Sequence, residues 1–316
     1  MSSDIVIVGS LNMDMVVKVE RRPEQGETVL GGDFFMSPGG KGANQAYAAG
    51  KLGASVAMIG KVGNDIFAEK LLSNLNEAGV NTQYIDNITE QASGIALISV
   101  DPEGDNSIIV APGANRVLDA EFVRKQEDAI RNAKLLMVQL EIPLESVMEA
   151  VSIAKRHNVP VLLDPAPAQP LPDELLAMVD YIVPNESEIA QLTGIKVTDP
   201  RSAKIAAVEL LRKGVTTVFA KLGEQGVVVV NSNRTFTLKG YKVDAVDTTA
   251  AGDAFAGALG TALVAGKDLW AATQFANAVG ALTVTRSGAQ SSMPDLQETE
   301  SFMKQATQDE LTNHFN

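Results

Sequence analysis

The chain has no cysteine, two histidines and one tryptophan in 316 residues. Without cysteine there is neither a disulfide framework nor a thiolate metal site, and that absence fits a reducing, cytoplasmic setting. His157 follows Lys155 and Arg156, where a helix C-terminus would favour a cation. His314 lies two residues from the end. The pair argues against a Ser-His-Asp triad or a multi-histidine metal centre. Positive charge is also scarce, with 26 Lys+Arg against 39 Asp+Glu and a formal charge of -13. Such a surface repels nucleic acid and anionic membranes, which are bound through clustered positive charge. No apolar run approaches the roughly 20 residues of a membrane span. The first apolar stretch, residues 5–8, is too short for a signal peptide and lacks a basic flank.

What is present is the balance of a globular protein, 45% apolar and 21% charged, in a length suited to one large α/β domain or two ordinary ones. Short β-branched runs at 5–8, 56–59, 135–138, 159–163, 181–183, 215–220 and 227–230 read as strands buried on both faces. Helical patterns fall between them at 43–52, 66–78, 144–157, 205–213 and 254–265. This alternation predicts a mostly parallel sheet with helices on both faces. Residues 15–35 and 93–110 break the pattern. They read as strands and turns, with turn chemistry at Gly31-Gly32 and at residues 102–105, and predict a small separate sheet; edge strands of the main sheet are the alternative.

Three constellations carry possible chemistry. Residues 247–253, Asp-Thr-Thr-Ala-Ala-Gly-Asp, precede a helix with apolar positions at 254, 255, 258, 259, 262 and 263. The small residues Ala250, Ala251 and Gly252 then offer backbone N–H groups and the helix dipole to an anion. Asp253 beside a polyphosphate makes sense as a base for an attacking hydroxyl, or else as a plain stabiliser of the helix start. Residues 37–46, Ser-Pro-Gly-Gly-Lys-Gly-Ala-Asn-Gln-Ala, are neither a Walker A loop, since Gly42 follows Lys41, nor a dinucleotide fingerprint, since Gln45 replaces the third glycine. Their N–H groups and the Asn44 amide suit polyol hydroxyls; an ordinary glycine turn is the alternative. Asn12 and Asp14 follow the first strand, where open α/β sheets bind ligands, and would share a face if extended; an Asx turn is the alternative. Glu141, the segment Asn185-Glu186-Ser187-Glu188 and the segment 221–226 also follow strands, although capping and turn formation explain the last two equally well.

In this order, and from about Asp4 to Pro294, these pieces resemble the PfkB carbohydrate kinase family. The motifs at 37–46 and 247–253 are specific as a pair, and residues 285–294 add to the match. Many members carry glycine where this chain has Ala250. The resemblance implies a single α/β kinase domain over 1–316, a three-layer α/β/α domain with a small β-sheet lid formed by about 15–36 and 93–110. It implies a homodimer paired through the lids. It implies sugar contacts from Asn12, Asp14, Gly40, Lys41, Asn44, Glu141 and Asp253, with Asp253 the general base and Ala250, Ala251 and Gly252 the anion site. ATP contacts would come from Asn185, Lys221, Gly223, Gly226, Gly252 and Asn277. Glu188 would act on Mg²⁺ indirectly. K⁺ would be held by Asp247, Thr249, Thr283, Arg286, Gly288 and Ser292, several through carbonyls. The implied reaction is ATP-dependent phosphorylation of ribose at its 5-hydroxyl. Deoxyribose, fructose or adenosine as substrate, and a sugar-binding regulator without catalysis, are the alternatives.

Overall fold

Alternate residues of the first strand enter different cores. Ile5 and Ile7 pack on one side of the main sheet, Val6 and Val8 on the other, so a strand with no polar position is what this place requires. The computed structural model describes residues 3–102 and 106–314, with side chains up to residue 306. In chain order its strands are β1 (Ile5–Val8), β2 (Asn12–Val19), β3 (Gly31–Gly39), β4 (Val56–Gly63), β5 (Asn81–Ile88), β6 (Gly94–Val100), β7 (Asn106–Ala111), β8 (Leu135–Val138), β9 (Val161–Leu163), β10 (Tyr181–Ile182), β11 (Thr217–Lys221), β12 (Val227–Asn231) and β13 (Thr235–Leu238).

Nine strands form the main sheet in the order β13-β12-β11-β10-β9-β8-β1-β4-β5. All neighbours are parallel except β11–β12 and β12–β13. Helices cover both faces, giving the expected mostly parallel α/β fold. The two stretches that broke the alternation form a separate four-stranded sheet, β3-β2-β6-β7. The turn expected at 102–105 lies, from residue 103 on, outside the described residues. Among the described residues no helix is long and apolar enough to cross a membrane.

The edge strands β5 and β13 went unread in the sequence. Both are partly solvent-exposed and mix polar with apolar residues, so neither shows a continuous apolar run. The helix predicted at 205–213 begins earlier, as Pro200–Arg212, because Asp199 and Ser202 form a capping box with Pro200 in the first turn. The helix Ala251–Val264 packs closely on the helix Lys41–Lys51. At their contact Gly257 is required, since a Cβ there would lie 2.7 Å from the Gln45 carbonyl oxygen. That approach brings the start of one helix against the first turns of the other.

Candidate active site

The site is built at the carboxyl ends of the main-sheet strands, at the junction with the smaller sheet. Gly40 joins β3 to the helix Lys41–Lys51 at φ 88°. A Cβ there would lie 2.7 Å from the Asn12 nitrogen, so the turn tolerates glycine and little else. This turn sets Lys41 and Asn44 over the end of β1. Glu141, just beyond β8, gathers the surrounding donors on one carboxylate oxygen. It accepts from Ser10 Oγ at 2.6 Å, the Lys41 N–H at 3.0 Å and Asn12 Nδ2 at 3.4 Å. Asn12 is held from its other side, where its oxygen accepts from Asn115 Nδ2 at 2.8 Å.

Asp253 lies in the first turn of the helix Ala251–Val264 and is only 5% exposed. Asn44 Nδ2 donates to its Oδ2 at 2.9 Å, and Gln45 Nε2 approaches its Oδ1 at 3.5 Å. The N-cap, Ala250, adopts the left-handed conformation at φ 58°, which costs a non-glycine residue about 1 kcal/mol. The Ala251 N–H closes a turn onto the Thr248 carbonyl at 3.3 Å. The Gly252 and Asp253 N–H groups, in the first turn, have no helical carbonyl to bond. A Cβ on Gly252 would lie 3.2 Å from Lys221 Nζ, so the missing side chain leaves room between two free amides and an ammonium. Lys221 in turn pairs with Asp164 at 3.4 Å. Beside it, Asn185 and Glu188 form a capping box at the helix Glu186–Thr193.

Electrostatics follow from crowding carboxylates out of water. Burial, then the charges of Glu141 and Asp253, push Asp14 up to about 7 against the opposing pull of Lys41. Burial also raises Asp253, to about 6; Lys41 and the Asn44 hydrogen bond oppose it, while Asp164 and Glu141 add to it. For Lys41 burial works against the charge, yet Asp253, Asp164, Glu141 and Glu188 together drive its affinity for the proton up. Glu188 is raised mainly by burial, with Lys221 opposing.

Of the residues expected to touch the sugar, Asn12, Lys41, Asn44, Glu141 and Asp253 are joined by hydrogen bonds or charge into one cluster with Asp14. Asn185, Glu188, Lys221 and Gly252 border it on the Asp164 side. Gly223 and Gly226 form a turn after β11, at φ 52° and 95°. Asn277 donates to the Lys239 carbonyl at 2.8 Å. The expected cation loop is drawn together by Asp247, which accepts from the Thr249 N–H at 2.9 Å and hydroxyl at 2.6 Å, and from the Gly288 N–H at 2.9 Å. The Thr283 and Ser292 hydroxyls donate to carbonyls of their own helical turns. The Arg286 guanidinium is paired with Glu298; it has no acceptor atom, so only the Arg286 carbonyl could meet a cation. Among the described residues no group of His, Cys, Asp and Glu side chains has metal-holding geometry.

Sequence reasoning missed Asp164 and Asn115. Asp164 directly follows β9, as Glu141 follows β8, and the rule that located one would have located the other. Asn115 carries no local signal, because it acts on residues 103 and 104 positions away.

A glycine turn beside a cluster of amides and carboxylates, a buried carboxylate and an amide-lined helix start beside a lysine make up the working end of a small-molecule kinase. The chain belongs to the pfkB family of carbohydrate kinases, whose family model matches residues 2–296. It is 42% identical over 306 residues to a ribokinase of Haemophilus influenzae, covering 97% of this chain and 100% of that one. It is 37% identical over 296 residues to a deoxyribokinase of Salmonella typhimurium, covering 93% and 97%. The structure superposes on that of Arabidopsis thaliana ribokinase complexed with ribose and ATP with a TM-score of 0.91 and 32% identity, covering 96% of this chain and 99% of the other.

The raised proton affinity of Asp14 has a consequence for stability. A carboxyl that takes up its proton more readily when folded stabilises the fold below its unfolded value near 3.9, and that contribution is lost as pH rises through about 7. Asp14→Asn is therefore expected to make the ligand-free protein more stable at pH 8, by roughly 1–3 kcal/mol, and to change it little at pH 4. Thermal unfolding at the two pH values reads this; equal effects at both would contradict it.

Proposed function

We propose that this protein phosphorylates ribose on its 5-hydroxyl with ATP. The observation that carries the reading is the buried Asp253 carboxylate, fixed by Asn44 and adjoining the free amides of Gly252 and Asp253. Asp253 accepts the hydroxyl proton as the oxygen attacks the γ-phosphorus. Its value near 6 leaves it mostly ionised at neutral pH yet basic enough to help. Asn12, Asp14, Asn44 and Glu141 offer both donors and acceptors to sugar hydroxyls, the kind of site that rejects analogues lacking one. The free amides, the helix dipole and Lys221 oppose the charge on the transferring phosphoryl group. The identity to ribokinases over nearly the whole chain supports ribose; the deoxyribokinases at 37% support 2-deoxyribose as the second reading.

Mg²⁺, entering with ATP, would supply neutralising charge to the phosphates. Both Glu188 oxygens are already bonded to Asn185, at 2.7 and 2.9 Å, which fits a role through water rather than direct ligation. The loop around Asp247 and Gly288 offers carbonyl and hydroxyl oxygens that suit K⁺, which would shape the anion site from outside. Exchange of K⁺ for choline is expected to slow turnover, and an unchanged rate would remove K⁺ from the account.

The smaller sheet would cover the sugar and pair with its counterpart in a homodimer. Supporting this, Phe34, Phe35, Ile108 and Ile109 are exposed on its outer strands, Ile109 by 69%, an apolar area of the kind that marks an interface.

The test is ADP release across ribose, 2-deoxyribose, fructose and adenosine with Mg²⁺ and K⁺ present, in wild type and Asp253→Asn. Turnover is expected with ribose above all, and a loss of at least about 10²-fold in the variant with sugar binding retained. Near-normal turnover by Asp253→Asn would end its role as base. Turnover with another member of the panel would overturn the ribose assignment.

A further inference from the structure

Two chains of side-chain amides end on Asp253, and both run in the same sense. In the first, Asn74 Nδ2 donates to Gln290 Oε1, Gln290 Nε2 donates to Asn44 Oδ1 at 3.0 Å, and Asn44 Nδ2 donates to Asp253 Oδ2 at 2.9 Å. In the second, Gln139 Nε2 donates to Gln45 Oε1 at 2.7 Å. Gln45 Nε2 then serves Asp164 Oδ2 at 2.9 Å and faces Asp253 Oδ1 at 3.5 Å. Asn44, Gln45, Gln139 and Gln290 are all buried.

The direction of both chains follows from their end. An ionised carboxylate only accepts, so Asn44 and Gln45 must turn their NH₂ groups toward it. Their oxygens then face outward and need donors, which Gln290 and Gln139 supply. The second chain shows the cost of this polarity. Gln139 Oε1 is buried without a hydrogen-bond partner among the described residues, an arrangement that costs about 1–3 kcal/mol. Rotating the amide would bring that oxygen against Gln45 Oε1 and strip Gln45 of its donor. The fold keeps an orphan acceptor at the far end of the chain, and donors at the end that meets the carboxylates.

We propose that Gln290 and Gln139 are positioning residues of phosphoryl transfer, which act through Asn44 and Gln45 to hold the Asp253 carboxylate ionised and aimed at the sugar hydroxyl. The proposal rests on the reading of Asp253 as the base. Other charged groups facing Asp253 are Lys41 on its helix, Asp164 after β9, Glu141 after β8 and Asp14 on β2. The helix Leu269–Thr283, packed against the Asp253 helix, contains no titratable side chain. None of these groups is changed by substituting the glutamines.

Gln290→Leu removes the donor to Asn44 Oδ1 and Gln139→Leu removes the donor to Gln45 Oε1, and neither adds a charge near Asp253. Either loss withdraws hydrogen bonds from the ionised base, so the base protonates more readily and the acid limb of kcat/KM moves to higher pH. The experiment is the pH dependence of kcat and of KM for ribose and for ATP from about pH 5 to 9 in wild type, Gln290→Leu and Gln139→Leu, with Asp253→Asn alongside. Both glutamine variants are expected to move the acid limb up by about 0.5–1 pH unit and to lower kcat at pH 7 by about 3–10-fold, with KM for ATP within about twofold. An acid limb that stays in place in either variant overturns the proposal, since a purely structural role would lower kcat without moving the limb and the relay requires it to move. If a glutamine variant does not fold, the uncharged Asn74→Ala, on the partly exposed start of the first chain, is judged by the same shift. An active Asp253→Asn would instead end the base assignment itself, whereas an inactive Asp253→Asn together with unmoved limbs in the glutamine variants would end only the relay.

Discussion

Asp14, Glu141, Asp164, Glu188 and Asp253 are drawn into one partly dry region, and Lys41 and Lys221 stand among them. Like charges at this density oppose folding, and the rest of the site is arranged around that repulsion. Glu141 is held by a hydroxyl, a backbone N–H and an amide. Asp164 takes an amide and an ammonium, and Asp253 takes the two amides nearest it. Carboxylates that stay poorly compensated, Asp14 above all, take up protons instead. A sugar with several hydroxyls and an Mg²⁺-bearing nucleotide would bring further donors and positive charge to these carboxylates. Instability in the free protein and affinity for ligand thus have one origin.

The parallel sheet makes this crowding possible. Strands β8 and β9 end side by side, so Glu141 and Asp164 arrive together without any local signal joining them. Gly40 and Gly257 then let two backbones come close enough to add Asn44, Gln45 and Asp253 from the helices above. Each of those glycines answers a steric demand for which a methyl group would already be too large.

Much of this was legible in the chain. Runs buried on both faces announced the parallel sheet, and the interruption at 15–35 and 93–110 announced the second one. The glycine turn at 39–42 proved to be a point of close approach, and the small-residue helix start at 250–252 faces the Lys221 ammonium. What stayed hidden has a physical reason. Strands β5 and β13 lie at sheet edges, where solvent on one side removes the apolar run that betrays a central strand. Asp164 looked like any acidic residue after a strand. Asn115, Gln139 and Gln290 act through contacts 94 to 246 positions apart in sequence, and a polar residue in a chain does not reveal that it will be buried. Ala250 is a separate case: the resemblance hinted at glycine there, and the backbone shows the reason, a left-handed conformation at φ 58°.

The central claim is that the crowded carboxylates, offset by directed amides, leave Asp253 ionised but close to the point of protonation. The most direct measurement is an infrared titration of the ligand-free protein, taking the difference between wild type and Asp253→Asn to isolate this carboxyl. The account predicts a protonation midpoint near 6, well above the ordinary value of about 3.9. A midpoint at or below that ordinary value would contradict it, because the site would then hold a fully compensated ion pair rather than a base poised to take a proton.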